Sequence, residues 1–223
     1  MSARIASAAA TYFPVPVLAI RTPLLLSSCG LRHTAAVPSG ATPVHAGRIV
    51  NGDPANVRSF VGYGAEVIAA ADRTVVQTSD SLPDQPPGTL PDPSTITVDT
   101  VDGNHVILDI GRGLYLFYAH LQPGSVAVEP GQQVTRGQAL GKLGNSGNTS
   151  APHLHVHVMN GTSVLGSDGR PYVIDRFGLA GQVAPQQFET SQNLTGSFGQ
   201  GRTPPAERRD QFPLNLQIID FPS

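Results

Sequence analysis

Residues 118–158 read YAHLQPGSVAVEPGQQVTRGQALGKLGNSGNTSAPHLHVHV, and the six at its end decide how the chain folds. His153, His155 and His157 recur at intervals of two, with Leu154, Val156 and Val158 between them. Successive side chains of a β-strand point to opposite faces, so the three imidazoles share one face and the aliphatic side chains pack on a core from the other. Same-face neighbours have Cα atoms roughly 6–7 Å apart. At that spacing one histidine can hold a metal ion while the next moves a proton at the same point. The bland alternative is a histidine-rich strand facing solvent, because H-x-H is short and recurs by chance.

Working outward, the text keeps to short β-type runs between turn residues. EVIAA, RTVVQT, ITVDT, NHVILDI and LYLFYAHL follow one another from Glu66 to Leu121. Residues 79–93, SDSLPDQPPGTLPDP, carry five prolines and are expected to form a long loop. No helical period persists between residues 64 and 160, so few or no helices are expected there. The chain reads as mostly β, an antiparallel sheet sandwich or open barrel with long loops. Further on come an apolar patch, RPYVIDRF, a polar stretch expected to be flexible, and a final PLNLQIIDFPS that is expected to return as an edge strand.

Composition narrows the function classes. With 24 glycines, 20 prolines and 13% charged residues the chain is rich in turns, while 39% hydrophobic residues support a packed core. A net charge of −2 and the lack of a Lys/Arg run argue against nucleic-acid binding. Cys29 is the single cysteine, so any metal is to be held by histidine and carboxylate. The first thirty residues combine an early arginine with an apolar middle, interrupted by Arg21 and Pro23, and end in Leu26-Ser27-Ser28-Cys29. That is the pattern of an export signal, with a lipid-anchor cysteine at its end. Residues 1–45 are therefore expected to be signal-like or disordered, 46–185 the folded domain, and 186–223 a flexible tail carrying the last strand.

The ordered succession of motifs resembles the lysostaphin/LytM-type zinc endopeptidases. Y-x-H-L at 118–121, then GQALGKLGNSG, then P-H-L-H at 152–155 match that family's C-terminal half. GYGAEVIAAADRTVV, residues 62–76, matches its preceding strand pair, with Arg73 where glycine is usual. The resemblance implies the duplicated-hybrid-motif fold, hydrolysis of peptide crosslinks in bacterial peptidoglycan, and an envelope or extracellular location. It also implies roles: His155 as a zinc ligand, with His120 and His153 as catalytic histidines. His157 departs from the pattern, which has an acidic or polar residue there.

The same resemblance calls for two more ligands in an upstream H-x-x-x-D. His105 and Asp109 have that spacing but lie after the first strand pair and read as ordinary strand residues. Upstream, His45 and Asp53 are eight positions apart, and His33 is followed at the fourth position by Val37. Three readings follow, of which the first two are a zinc endopeptidase and a metal-free module of the same fold that binds cell wall or regulates a partner hydrolase. A structural β-module with incidental histidines is the third. Three glycosylation-type sequons, at Asn148, Asn160 and Asn193, receive no function.

Overall fold

The computed structural model describes residues 13–15, 24–28, 39–43, 48–184, 204–214 and 216–221. Its strands, in chain order, are β1 Phe13–Val15, β2 Leu24–Ser28, β3 Ser39–Pro43, β4 Glu66–Ile68, β5 Arg73–Ser79, β6 Asn104–Gly111 and β7 Leu114–Leu121. They continue with β8 Gln133–Val134, β9 Ala139–Lys142, β10 Leu154–Met159, β11 Gly169–Arg170, β12 Tyr172–Gln182, β13 Ala206–Gln211 and β14 Gln217–Asp220. Among the described residues the only helical pieces are two 3-10 turns, Val57–Ser59 and Pro93–Thr95.

Two layers result. The large sheet runs β1-β12-β14-β2-β3-β10-β7-β6-β5-β8, with β11 beside β10 and β13 beside β12. Every pairing in it is antiparallel except β1 with β12. Its path has two ends, so the sheet stays open and no barrel closes. The smaller layer is the antiparallel pair β4–β9. Between the layers Val67 and Leu140 of the small sheet pack against Val75, Val106, Leu108, Leu116, Tyr118, Leu154, Val156 and Val158 of the large one. A hydroxyl on this core face is accounted for: the Ala70 N–H donates to the Tyr118 hydroxyl at 3.0 Å.

Strand β10 behaves as its alternation requires. Leu154, Val156 and Val158 enter the core between the layers, while His155, His157 and Met159 line the opposite face. That second face is not solvent. Ile107, Phe117, Ala119 and Met159 form a buried apolar cluster there, and His155 and His157 are 5% and 8% exposed.

Three segments differ from their sequence reading. ITVDT is no strand: the Thr97 N–H donates to Thr100 Oγ1 at 2.8 Å and the Thr100 and Val101 N–H groups return to the Thr97 carbonyl, closing a turn. Short hydroxyl side chains bond to nearby backbone and so compete with strand pairing. The polar run AERRDQ is strand β13, an outer strand of exposed charged residues, and charge of that kind is how an unpaired sheet edge is kept from recruiting a further strand. The final apolar run, as β14, pairs with β12 on one side and β2 on the other, so it lies inside the sheet.

Candidate functional site

The site begins at an irregularity in β7. Leu116 and Tyr118 face the core while Phe117 and Ala119 face the other side, so strict alternation would turn His120 into the core. The register with β6 slips between Asn104↔Leu121 and Val106↔Tyr118, which places two residues, Ala119 and His120, opposite His105. This bulge adds one residue, and His120 absorbs it with φ at +61°, in the left-handed region. A bulge re-aims side chains, and here it delivers the His120 ring to the histidine face. The left-handed backbone costs a non-glycine residue about 1–2 kcal/mol and persists only where surrounding contacts impose it.

The turn GNSGN, residues 144–148, supplies those contacts. The Gly144 N–H donates to the His120 carbonyl at 3.0 Å, and His120 Nδ1 donates to the Ser146 carbonyl at 2.8 Å. Ser146 Oγ donates to the Leu121 carbonyl at 2.7 Å and accepts from the Asn104 N–H at 2.9 Å, tying the turn to both strands of the bulge. Gly103, φ +65°, passes so close to Ser146 that a Cβ would strike its carbonyl. The proline-rich loop is pinned to the same turn, since Asp84 accepts from the Asn145 N–H at 2.7 Å and from the Tyr63 hydroxyl at 2.6 Å.

His153 stands one residue before β10, its Nδ1 donating to the Ala151 carbonyl at 2.9 Å. The rings of His120 and His153 are 4.8 Å apart, those of His120 and His155 5.5 Å. One ring nitrogen from each of His120, His153 and His155 lies within 4.8 Å of the others. Because the Nδ1–H groups of His120 and His153 are engaged by carbonyls, each of these rings presents an Nε2 lone pair. In His155 the free atom is Nδ1, which is buried without a hydrogen-bond partner; its Nε2 faces His157 Nδ1 at 3.0 Å.

Burial dominates the electrostatics. Desolvation, reinforced by the neighbouring His153 and opposed by the Ser146 carbonyl, brings His120 down to about 3. The same cause lowers His153, against the Ala151 carbonyl, and brings His157 down to about 4. His155 falls well below the ordinary imidazole value through desolvation and then through His120, His157 and His153. At neutral pH all four rings are uncharged, the form that donates a lone pair to a metal or accepts a proton. Asp102, whose carbonyl accepts from the His120 N–H at 3.3 Å, is raised by burial to about 7.

These three nitrogens fit a zinc ion in donor type and protonation. Tetrahedral ligand nitrogens around zinc are about 3.3 Å apart, whereas these lie within 4.8 Å of one another, a spacing that suits one of them holding an ion with the other two beside it. The unpaired His155 Nδ1 is the atom whose burial a metal would explain, since an orphaned buried polar atom costs about 1–3 kcal/mol.

Other sequence candidates do not join the cluster. Asp53 is exposed and its carboxylate accepts from the Ala55 N–H at 2.9 Å. His105 is buried between the Gly103 carbonyl and Gln77, at 2.9 and 3.1 Å, and Asp109 accepts from the Gly111 N–H. Both therefore act as strand residues. His33, His45 and Cys29 lie outside the described residues. Sequence reasoning gave no part to Ser146, which lies in the GQALGKLGNSG motif, missed Asp102, which no motif singled out, and left His157 without a part.

The chain is similar to known proteins over parts of its length. The model of peptidase family M23 matches residues 56–166. Peptidoglycan DD-endopeptidase ShyA of Vibrio cholerae is 39% identical over 57 residues, which are 26% of this chain and 13% of that protein. The chain thus spans a small part of that curated relative's length. Among solved structures, the catalytic domain of lysostaphin from Staphylococcus simulans superposes at a TM-score of 0.38 and 19% identity, over 66% of this chain and 84% of that one. A zinc-containing peptidase from Vibrio cholerae gives a TM-score of 0.34 at 17% identity, over 60% of this chain and 45% of that one.

Proposed function

The chain belongs to peptidase family M23 through residues 56–166, and from that membership we propose that it is a zinc-dependent endopeptidase cleaving peptide crosslinks of bacterial peptidoglycan. The observation that carries the proposal is the convergence of His120, His153 and His155 from the ends of two adjacent strands, each with an uncommitted lone pair. His155 would hold the metal through Nδ1. Zinc, when bound, lowers the pKa of a coordinated water to about 7 and polarises a carbonyl.

His120 and His153 act on protons. Their Nδ1–H groups are held by carbonyls, which fixes each Nε2 as the acceptor. Burial disfavours imidazolium in the resting site. The charged form becomes favourable as negative charge develops on the attacked carbonyl beside it, so the proton that the attacking water gives up is taken by Nε2 and is then passed to the leaving amine as the peptide bond breaks. Positioned proton transfer of this kind contributes typically 10²–10⁴-fold.

Further ligands are required, and His45 is the sequence candidate for one. The proposed domain limits remain 46–185 with a tail at 186–223, although β3 before them and β13 and β14 after them join the same sheet. Export with a lipid anchor at Cys29 completes the proposal; cleavage before that cysteine would remove β1 and β2, so the mature sheet would begin with β3. No helix among the described residues is long and apolar enough to cross a membrane.

Zinc content and muropeptide cleavage test these roles together. About one zinc per chain is expected in the wild type, with metal and activity both lost in His155→Ala. His120→Ala and His153→Ala should keep zinc and lose turnover by about 10²–10⁴-fold. Wild-type protein that stays metal-free at saturating zinc overturns the enzyme reading. One observation favours the alternative of a metal-free cell-wall-binding module: among the described residues no carboxylate joins the three imidazoles. Retention on sacculi that is insensitive to chelator would support it.

A further inference from the structure

We propose that His157 is a positioning residue that sets the tautomer and ring orientation of His155, an inference that rests on the reading of His155 as the metal ligand. His157 and His155 lie two apart on one face of β10, with ring centroids 5.1 Å apart at 84° and the Nδ1 of His157 3.0 Å from the Nε2 of His155. Two neutral imidazoles joined by one such contact share a single proton: one ring donates and the other accepts.

The surroundings choose the donor. If His155 carried its proton on Nδ1, that N–H would be buried with nothing to accept it, because Nδ1 has no partner. With the proton on Nε2, the N–H is satisfied by His157 Nδ1, and the lone pair of His155 Nδ1 is the one left for the site. His157 is in turn held in place. It lies across from Phe117 in the β7 register, with the two rings 4.9 Å apart, while the small Ala119 lies across from His155. Phe117 also meets the His155 ring edge-on at 6.0 Å. Ligating histidines are commonly oriented by a group that accepts their second N–H, and loss of that group typically weakens metal affinity 10–100-fold. Here a neighbouring histidine on the same strand takes that part.

The test uses His157→Leu, which removes the acceptor, and His157→Gln and His157→Glu, which restore one. Zinc affinity is measured by chelator competition, and the His155 tautomer is read from ring 15N shifts of the metal-free chain, with amide spectra to verify folding. His157→Leu should bind zinc 10–100-fold more weakly and lose the Nε2–H tautomer of His155, with Gln and Glu each recovering most of both. A His157→Leu chain with the wild-type tautomer and zinc affinity within about threefold of wild type overturns the inference. So does a Gln or Glu variant that folds and recovers neither. If the wild-type chain binds no zinc, the enzyme reading fails, and the tautomer measurement alone decides the inference.

Discussion

Acidifying the metal-free protein from pH 7 to pH 5 should cost it about 2 kcal/mol through three groups at and around the site. In the folded chain burial holds His120 at about 3 and His157 at about 4, whereas an unfolded-state imidazole titrates near 6.5. Between those limits the unfolded chain binds more protons, so the stabilisation is present above pH 6.5 and is lost as pH falls from 6.5 toward the folded values. At pH 5 each histidine accounts for about 2 kcal/mol of loss, or about 4 kcal/mol for the pair. Asp102 acts in the opposite direction. Burial raises it to about 7, so on acidification the folded state takes up a proton that the unfolded state does not, returning about 2 kcal/mol over the same interval. His105, His153 and His155, all lowered by desolvation, add to the loss.

The assay is urea unfolding of chelator-treated protein at pH 7 and pH 5 at one ionic strength. The midpoint should fall by about 0.7–2 M, given a slope of about 1–3 kcal/mol/M. Two variants separate the contributions: Asp102→Asn should enlarge the pH-dependent loss by about 2 kcal/mol and His157→Gln should reduce it by about as much. A midpoint that holds or rises on going to pH 5 would refute the claim that these imidazoles are buried and neutral.

Three further outcomes follow from named contacts. Tyr118→Phe strands the buried Ala70 N–H and should destabilise by about 1–3 kcal/mol in thermal or urea unfolding, with little change in volume. Leu154→Ala, 1% exposed at the core face of the histidine strand, should cost about 2–5 kcal/mol by the same measurement. Gly103→Ala drives a Cβ into the Ser146 carbonyl from a left-handed backbone. It should both destabilise the fold and loosen His120, seen as a loss of turnover larger than that of a surface Gly→Ala control.

Much of this site is legible before folding. PHLHVH reads correctly because the two-residue period of a strand is local, and burial of Leu154, Val156 and Val158 leaves the histidines only one face to occupy. Elsewhere local reading fails for physical reasons. ITVDT has strand composition, but the Thr100 hydroxyl closes it into a turn. AERRDQ has loop composition, but it pairs with β12 as a charged outer strand.

His120 shows where the boundary lies. Sequence identifies it as a candidate by its place in Y-x-H-L, yet alternation from Tyr118 would turn it into the core. The bulge against β6 and the left-handed φ of His120 turn it out, and both depend on a turn more than twenty residues away, whose Ser146 takes its Nδ1–H. The chain by itself determined which side chains can do chemistry and which face of β10 carries them, since residue type and period are properties of neighbouring positions. Only the tertiary structure decided that His120 joins that face, that His157 meets His155, and that all four rings are neutral. Those outcomes depend on cross-strand register and the exclusion of water, which exist only once distant segments have packed together.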